Sequence, residues 1–185
     1  HAARVVDIAS GTGDLSHFVR RRFPGARIVA TDQSLSMLNR ARRLPRNTSS
    51  LMQSAQDMGR IAVKTSSVDC CLGGYALRNA PALEGTIAEV RRILRPGGCA
   101  AFLDFSRADN NVLWWLQYVC LSAWGSLWGL LLHGDPRVYG YIAQSLRTFP
   151  SRTNLHRVFR EAGFTVVDSR RLFFGFAESI VVRKG

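Results

Sequence analysis

The sequence predicts an α/β fold: a mostly parallel sheet of about seven strands, helices on both faces and an antiparallel C-terminal strand. Three observations predict it. Short apolar runs of strand length alternate with segments of helical periodicity, the pattern of a parallel sheet covered on both sides. The last two apolar runs follow each other with no helix between them, so the sheet ends antiparallel. A turn carrying two glycines, "GTGD" (11–14), joins the first strand to the first helix, where such sheets bind ligands.

The elements follow in order. "RVVDIA" (4–9) reads as a buried strand and Leu15 to Arg22 as a helix. "ARIVATD" (26–32) is the second strand, ending in an acid. Ser34 is placed to cap a helix that carries Met37, Leu38 and Ala41 at helical spacing. Leu51 to Ser54 is a weaker strand, and "VDCCLGGYA" (68–76) a stronger one. A helix from Ala82 to Leu94 stops at Pro96-Gly97-Gly98, and "CAAFLDF" (99–105) is the next strand. Asn154 is expected to cap a helix ending at Gly163, ahead of the terminal strands "FTVVDSRRLFF" and "ESIVVRK".

Composition narrows the function. At 185 residues the chain reads as a single domain, 1–185, with no internal repeat. The net charge is +12, and all but two of the 25 basic residues are arginine. That balance suits an anionic partner, or else simply a solvated basic surface, because the arginines are scattered over several predicted helices. The four cysteines lack CxxC spacing and read as buried thiols in a reducing compartment. The histidines show no metal spacing, so no metal site is expected. The sequence opens "HAARVVDIA", without methionine and almost directly on a strand, and is expected to be a fragment.

The first turn is the candidate site. Gly11 and Gly13 let backbone approach a ligand where a side chain would clash. The helix start offers unpaired N–H groups to a carboxylate or phosphate. Asp32 closes the next strand, where an acid accepts the hydroxyls of a ribose. Together these point to a nucleoside-containing cofactor. The dinucleotide fingerprint would place a third glycine at position 16, where this chain has serine.

The segments "VVDIASGTGD", "ATDQSLSML", "YALRNAP", "RRILRPGG", "FLDFSR" and "YGYIAQSLRTFP" occur in the order seen in class I S-adenosylmethionine-dependent methyltransferases. More narrowly the chain resembles the ubiquinone/menaquinone biosynthesis C-methyltransferases, the UbiE/MenG family. "ALRNAP" and "GDPRVYGYIAQSLRTFP" are particular to that group. The resemblance implies a Rossmann-like class I methyltransferase fold and S-adenosyl-L-methionine as cofactor. It implies that Asp7, Gly11, Thr12 and Gly13 hold the cofactor's methionine part and that Asp32 holds its ribose. Ser54 and Ala55 fall on the pair that touches adenine, and Gly74 falls where a small residue lines the cofactor. The stretch from Gln56 to Val63 departs from the family's Leu-Pro-Phe pattern. The family also carries substrate-contacting residues before the first strand, in a helical region that this sequence is expected to lack.

The implied chemistry is methyl transfer to a ring carbon, which needs a base or a cation that favours a phenolate. Arg78, Asn79 and Asp104 are the candidates. Arg78 either stabilises a phenolate or ties its loop to a carboxylate. Asp104 either handles a proton or pairs with Arg78. Tyr139 and Tyr141 are placed to close the pocket or to pack. The expected substrate is a prenylated demethylquinol in quinone biosynthesis. A small-molecule methyltransferase or a non-catalytic cofactor-binding module is the alternative. A nucleic-acid methyltransferase is disfavoured: "GGYALRN" replaces the Asn/Asp-Pro-Pro-aromatic sequence of base N-methylating enzymes, and no Pro-Cys nucleophile occurs. No nucleic-acid partner is therefore expected.

The uncharged run "VLWWLQYVCLSAWGSLWGLLL" (112–132) holds all four tryptophans. As a helix it would cover roughly the 30 Å of a bilayer core. It lies between strands of one sheet, and a crossing would put those strands on opposite sides of the membrane. Gly125 and Gly129 are expected to break it into two pieces, and Gln117, Ser122 and Ser126 do not share one helical face. The run reads as part of a hydrophobic substrate cap, 106–150, that dips into a membrane surface. Arg107 and Arg137 would favour anionic lipid there. Core packing is the alternative. The expected location is cytoplasmic, at the inner face of a membrane.

Overall fold

The structure is a computed structural model that describes residues 2–44, 51–135 and 140–185. Arg137 and Tyr139, both singled out from the sequence, lie outside the described residues. Strand β1 (Arg4–Ile8) is buried after its first residue, as a strand with both faces covered must be. Helix α1 (Asp14–Arg22) carries Asp14 in its first turn and three arginines in its last, matching the helix dipole at both ends. Strand β2 (Arg27–Asp32) pairs parallel to β1. Helix α2 (Leu35–Arg43) begins where the Ser34 hydroxyl accepts the Met37 N–H, the cap the sequence predicts. Strand β3 (Leu51–Ala55) extends the sheet beyond β2, and β4 (Val68–Gly74) returns to the other side of β1. That reversal between β1 and β4 is the switch point at which open sheets of this kind bind ligands.

Helix α3 (Leu83–Ile93) runs directly into β5 (Leu94–Phe105). The strand thus starts earlier than the sequence suggests, and Pro96-Gly97-Gly98 lies inside it. Gly97 has φ +74, and a Cβ on Gly98 would come 2.9 Å from the Arg95 carbonyl oxygen. The glycines bend the strand where its register against β4 shifts between Val68 and Cys70. Helices α4 (Asn111–His133), α5 (Gly140–Thr148) and α6 (Arg152–Glu161) follow. Strands β6 (Phe164–Leu172) and β7 (Ala177–Lys184) complete a sheet of order β3-β2-β1-β4-β5-β7-β6, with β7 antiparallel to both neighbours.

Three further expectations are corrected. The apolar run forms one unbroken helix, α4, capped by the Asn110 side chain on the Val112 and Leu113 N–H groups. Gly134, in the left-handed region, ends it. Gly125 and Gly129 do not break it; both are buried on its inner side. No helix among the described residues is both long and apolar enough to cross a membrane. Helix α6 is entered from Ser151 rather than Asn154, and Asp109 accepts the Thr153 N–H at 2.9 Å, doing the work assigned to Asn154. Of the four cysteines, read as buried thiols, Cys71 is buried, Cys70 and Cys99 are half-buried and Cys120 is exposed on α4.

One buried cluster unites the sheet with α3, α5 and α6. Ile87, Val90, Leu146, Leu155 and Phe159 share it with Ile8, Phe102 and Ile180. The Phe102 and Phe159 rings stack with centroids 5.7 Å apart. Phe159 is fully buried, so Phe159→Ala is expected to lower stability by about 3–5 kcal/mol, read as a shift in the urea midpoint. A loss under about 1 kcal/mol would contradict this placement of the core.

Candidate active site

The turn after β1 is held open by backbone conformation. Ala9, Gly11 and Gly13 all lie in the left-handed region, with φ of 49°, 53° and 78°. For Ala9 that costs roughly 1–2 kcal/mol. A Cβ built on Gly11 or Gly13 meets nothing within 4 Å, so the glycines face open space. Asp32 fixes the turn from below: its Oδ2 accepts the Gly11 N–H and its Oδ1 the Ser34 N–H, each at 2.8 Å. One carboxylate thereby ties the β1 turn to the start of α2. It keeps lone pairs for further donors, since a carboxylate offers about four acceptor sites. The Thr12 hydroxyl donates to Asp14 at 2.7 Å.

Beneath the turn lies Asp7, 1% exposed. Its Oδ2 accepts the Ser16 N–H and hydroxyl, while its Oδ1 is buried with no partner. The Ser10 hydroxyl is orphaned in the same way. Serine at position 16, where a dinucleotide turn would have glycine, is thus the residue that holds Asp7.

The strand ends beside this turn carry the remaining candidates. Ala55 pairs in register with Asp32. The Ser54 hydroxyl is engaged by the Gln56 side-chain amide at 2.6 Å. The stretch after it, which departs from the family pattern, is pinned: Arg92 donates to the Ile61 and Val63 carbonyls, Glu89 accepts the Ile61 N–H, and Met58 and Ile61 are buried. At Gly74 a Cβ would come 3.1 Å from Leu15 Cδ1, so a side chain there would need Leu15 of α1 to shift by a few tenths of an ångström.

Arg78 and Asp104 meet, as one of the two sequence readings has it. Asp104 accepts the Arg78 N–H at 3.0 Å, its Nε lies 3.4 Å from Asp104 Oδ1, and both side chains are buried. The guanidinium also donates to Ser145 of α5 at 2.5 Å and lies over the Phe105 and Tyr141 rings. Burial pushes the Asp104 carboxyl above its usual range, and the Arg78 contacts only partly offset this. Asn79 donates its side-chain amide to the carbonyl of Tyr75, a bulky residue at φ 55 whose ring packs on Phe105. Ser145 escaped the sequence reading, since nothing marks a serine 67 positions away as the partner of an arginine. Among the described residues, no group of His, Cys, Asp and Glu is placed to hold a metal ion.

A seven-stranded sheet of this order, with a glycine turn after β1 and an acid at the end of β2, defines a class I S-adenosylmethionine-dependent methyltransferase. The chain matches the ubiE/COQ5 methyltransferase family over residues 1–183 and belongs to that family. It is 32% identical to the "Ubiquinone/menaquinone biosynthesis C-methyltransferase UbiE" of Pseudomonas putida, over 98% of this chain and 72% of that one. It is 27% identical to the "Demethylmenaquinone methyltransferase" of Chlamydia caviae, over 97% and 78%. Two solved structures share the fold. One is a putative methyltransferase in complex with the Haloferax volcanii Trm112 activator, with TM-score 0.74, 20% identity and coverage of 99% and 83%. The other is a SAM-dependent methyltransferase from Aquifex aeolicus, with TM-score 0.69, 12% identity and coverage of 99% and 82%. S-adenosylmethionine is the methyl donor, and the site suits it: the glycine turn faces open space, and two orphaned polar atoms lie beneath it.

Burial raises the Asp7 carboxyl from 3.8 to about 6, against the lowering effect of Ser16. The folded chain therefore keeps this proton up to about pH 6, where the unfolded chain has already lost it, and Asp7 is ionised above that. The stability this gives is complete below about pH 4 and is lost as pH rises through about 6. Asp7→Asn keeps an acceptor for Ser16 and removes the charge. It is expected to exceed the wild type by about 1–3 kcal/mol at pH 8 and to match it at about pH 4, read by urea denaturation. A wild type more stable than the variant at pH 8 contradicts this.

Proposed function

We propose that the protein methylates a ring carbon of a lipophilic prenylated demethylquinol, a demethylmenaquinol or ubiquinol precursor. The observation that carries the reading is the setting of the Arg78–Asp104 pair. It lies at the ends of β4 and β5, among the Tyr75, Phe105 and Tyr141 rings, on the strand that leads into the apolar helix α4. A flat aromatic acceptor with a greasy tail suits that combination. The names of the relatives in Pseudomonas putida and Chlamydia caviae support it.

In this reading Gly11, Thr12 and Gly13 receive the methionine part of the donor. Asp7, with its unpartnered Oδ1, supplies the negative charge that its ammonium needs. Asp32 accepts the ribose hydroxyls with its remaining lone pairs. Ala55 and Ser54 flank the adenine, and Gly74 keeps the strand end narrow. S-adenosylmethionine supplies an electrophilic methyl group when bound there. The acceptor carbon becomes nucleophilic when its neighbouring hydroxyl ionises, and the Arg78 charge favours that ion. Asp104 takes up that hydroxyl proton, a buried carboxylate held above its usual range being a better base than an exposed one, and the ring C–H proton released after methyl transfer returns to the hydroxyl oxygen. Asn79 holds the strained Tyr75 backbone in place. Residues 106–150 form the cap over the acceptor's tail.

Incubation with labelled S-adenosylmethionine and, separately, demethylmenaquinol, a demethylated ubiquinol precursor and bulk RNA tests the assignment. Label is expected in a quinol; label in RNA alone rejects it. Asp104→Asn is expected to lower kcat by about 10²- to 10⁴-fold with the cofactor Kd unchanged. In the wild type, activity should rise with pH through an ionisation above the usual carboxylate range, and the variant should lose that rise. An unaltered pH profile would remove Asp104 as the proton acceptor.

A further inference from the structure

Two apolar features lie beyond the Arg78–Asp104 pair, and they lie side by side. The first is α4. Leu113, Trp115, Leu116 and Trp124 on its outer side are exposed, whereas Gln117, Gly125 and Gly129 are its buried residues. A helix facing water shows the reverse arrangement. The second is the tip between β6 and β7, which the sequence reads as the end of a strand. Phe173 and Phe174 are 75% and 107% exposed, with φ of 50° and 57°. A bulky residue at positive φ is a strained outlier. Here two in succession hold aromatic rings in open solvent, where folding gains nothing from them. Strain of this kind persists where it serves a function.

Gln117 binds the two features together. Its amide nitrogen donates to the Ser106 carbonyl and, at 3.3 Å, to that of Gly175, while its oxygen accepts the Ala108 N–H. A cleft of about 490 Å³ separates helix and tip, lined by Leu113, Leu116 and Phe174 together with Arg107 and Arg171.

We propose that the outer face of α4 and the Phe173–Phe174 tip form one membrane-docking face that inserts into an anionic bilayer. Charge selects the occupant. Arg107, Arg152 and Arg171 line the apolar cleft against one acid, Asp109, which accepts the Thr153 N–H, and the chain carries a net +12. A second copy docked through the same face would set those arginines against themselves across a two-fold axis. Anionic headgroups neutralise them, while tryptophan and phenylalanine enter the interfacial layer. The inference rests on exposure, strain and charge, and stands whichever acceptor the enzyme methylates.

Co-sedimentation of the intact protein with vesicles tests it, using equal parts phosphatidylglycerol and phosphatidylcholine against phosphatidylcholine alone. Binding is expected to be stronger on the anionic vesicles. The double variant Phe173→Ser, Phe174→Ser is expected to partition at least about tenfold more weakly, with its melting temperature undiminished. Arg171→Glu, at an exposed position, should weaken partition by about fivefold or more on anionic vesicles alone. If the double variant melts lower, Arg171→Glu decides the matter by itself. Equal partition of variant and wild type, no vesicle binding, or a protein dimer that the double variant dissolves would overturn the proposal.

Discussion

Three segments distant in sequence converge on Asp32. Its carboxylate accepts N–H groups from Gly11 and Ser34, and its carbonyl oxygen accepts the Gln56 N–H. The β1 turn, the start of α2 and the end of β3 therefore share one anchor. A hydrogen bond to a charged group contributes about 1.5–3 kcal/mol, enough to hold a turn that contains a strained alanine. The turn in turn keeps its two glycines facing open space. The open turn proposed to cradle the nucleoside donor follows from a single carboxylate at the end of one strand.

The Arg78–Asp104 pair is the second anchor, and it works across the sheet's switch side. A buried ion pair is costly to form and costlier to break by removing one partner, by about 3–5 kcal/mol. Here the guanidinium has more than one partner: Asp104 on β5, Ser145 on α5, and the faces of Phe105 and Tyr141. It thus fastens the segment after α4 to the strand ends of the site. The proposed reaction centre and its apolar surroundings are coupled through one side chain. Nearby, buried Glu178 collects His156, Ser169 and Arg152 and steadies α6 against β7 and β6.

The alternation of strands and helices was legible because parallel strands and their covering helices impose two distinct periods on the sequence. The Ser34 cap and the Asp32 strand end could be read because each is a local signal. The course of α4 could not. Glycine weakens a helix only slightly, and Gly125 and Gly129 are accommodated where the helix turns inward. The strand containing Pro96-Gly97-Gly98 starts earlier than its local sequence suggests for a related reason: a breaker motif also serves as a bend within an interior strand. At Arg78 the sequence left two roles open, and the contact with Asp104 depends on the sheet register that sets β4 beside β5. Ser145, Gln117 and the Phe173–Phe174 tip carry no local signature, since each acquires its meaning only from partners far along the chain.

Calorimetric titration of S-adenosylmethionine into the wild type and an Asp32→Ala variant tests the central claim most directly. The proposed role of Asp32, as anchor of the turn and acceptor of the ribose, predicts at least about a tenfold loss of affinity with the fold retained by circular dichroism. Unchanged affinity in a folded variant would contradict it.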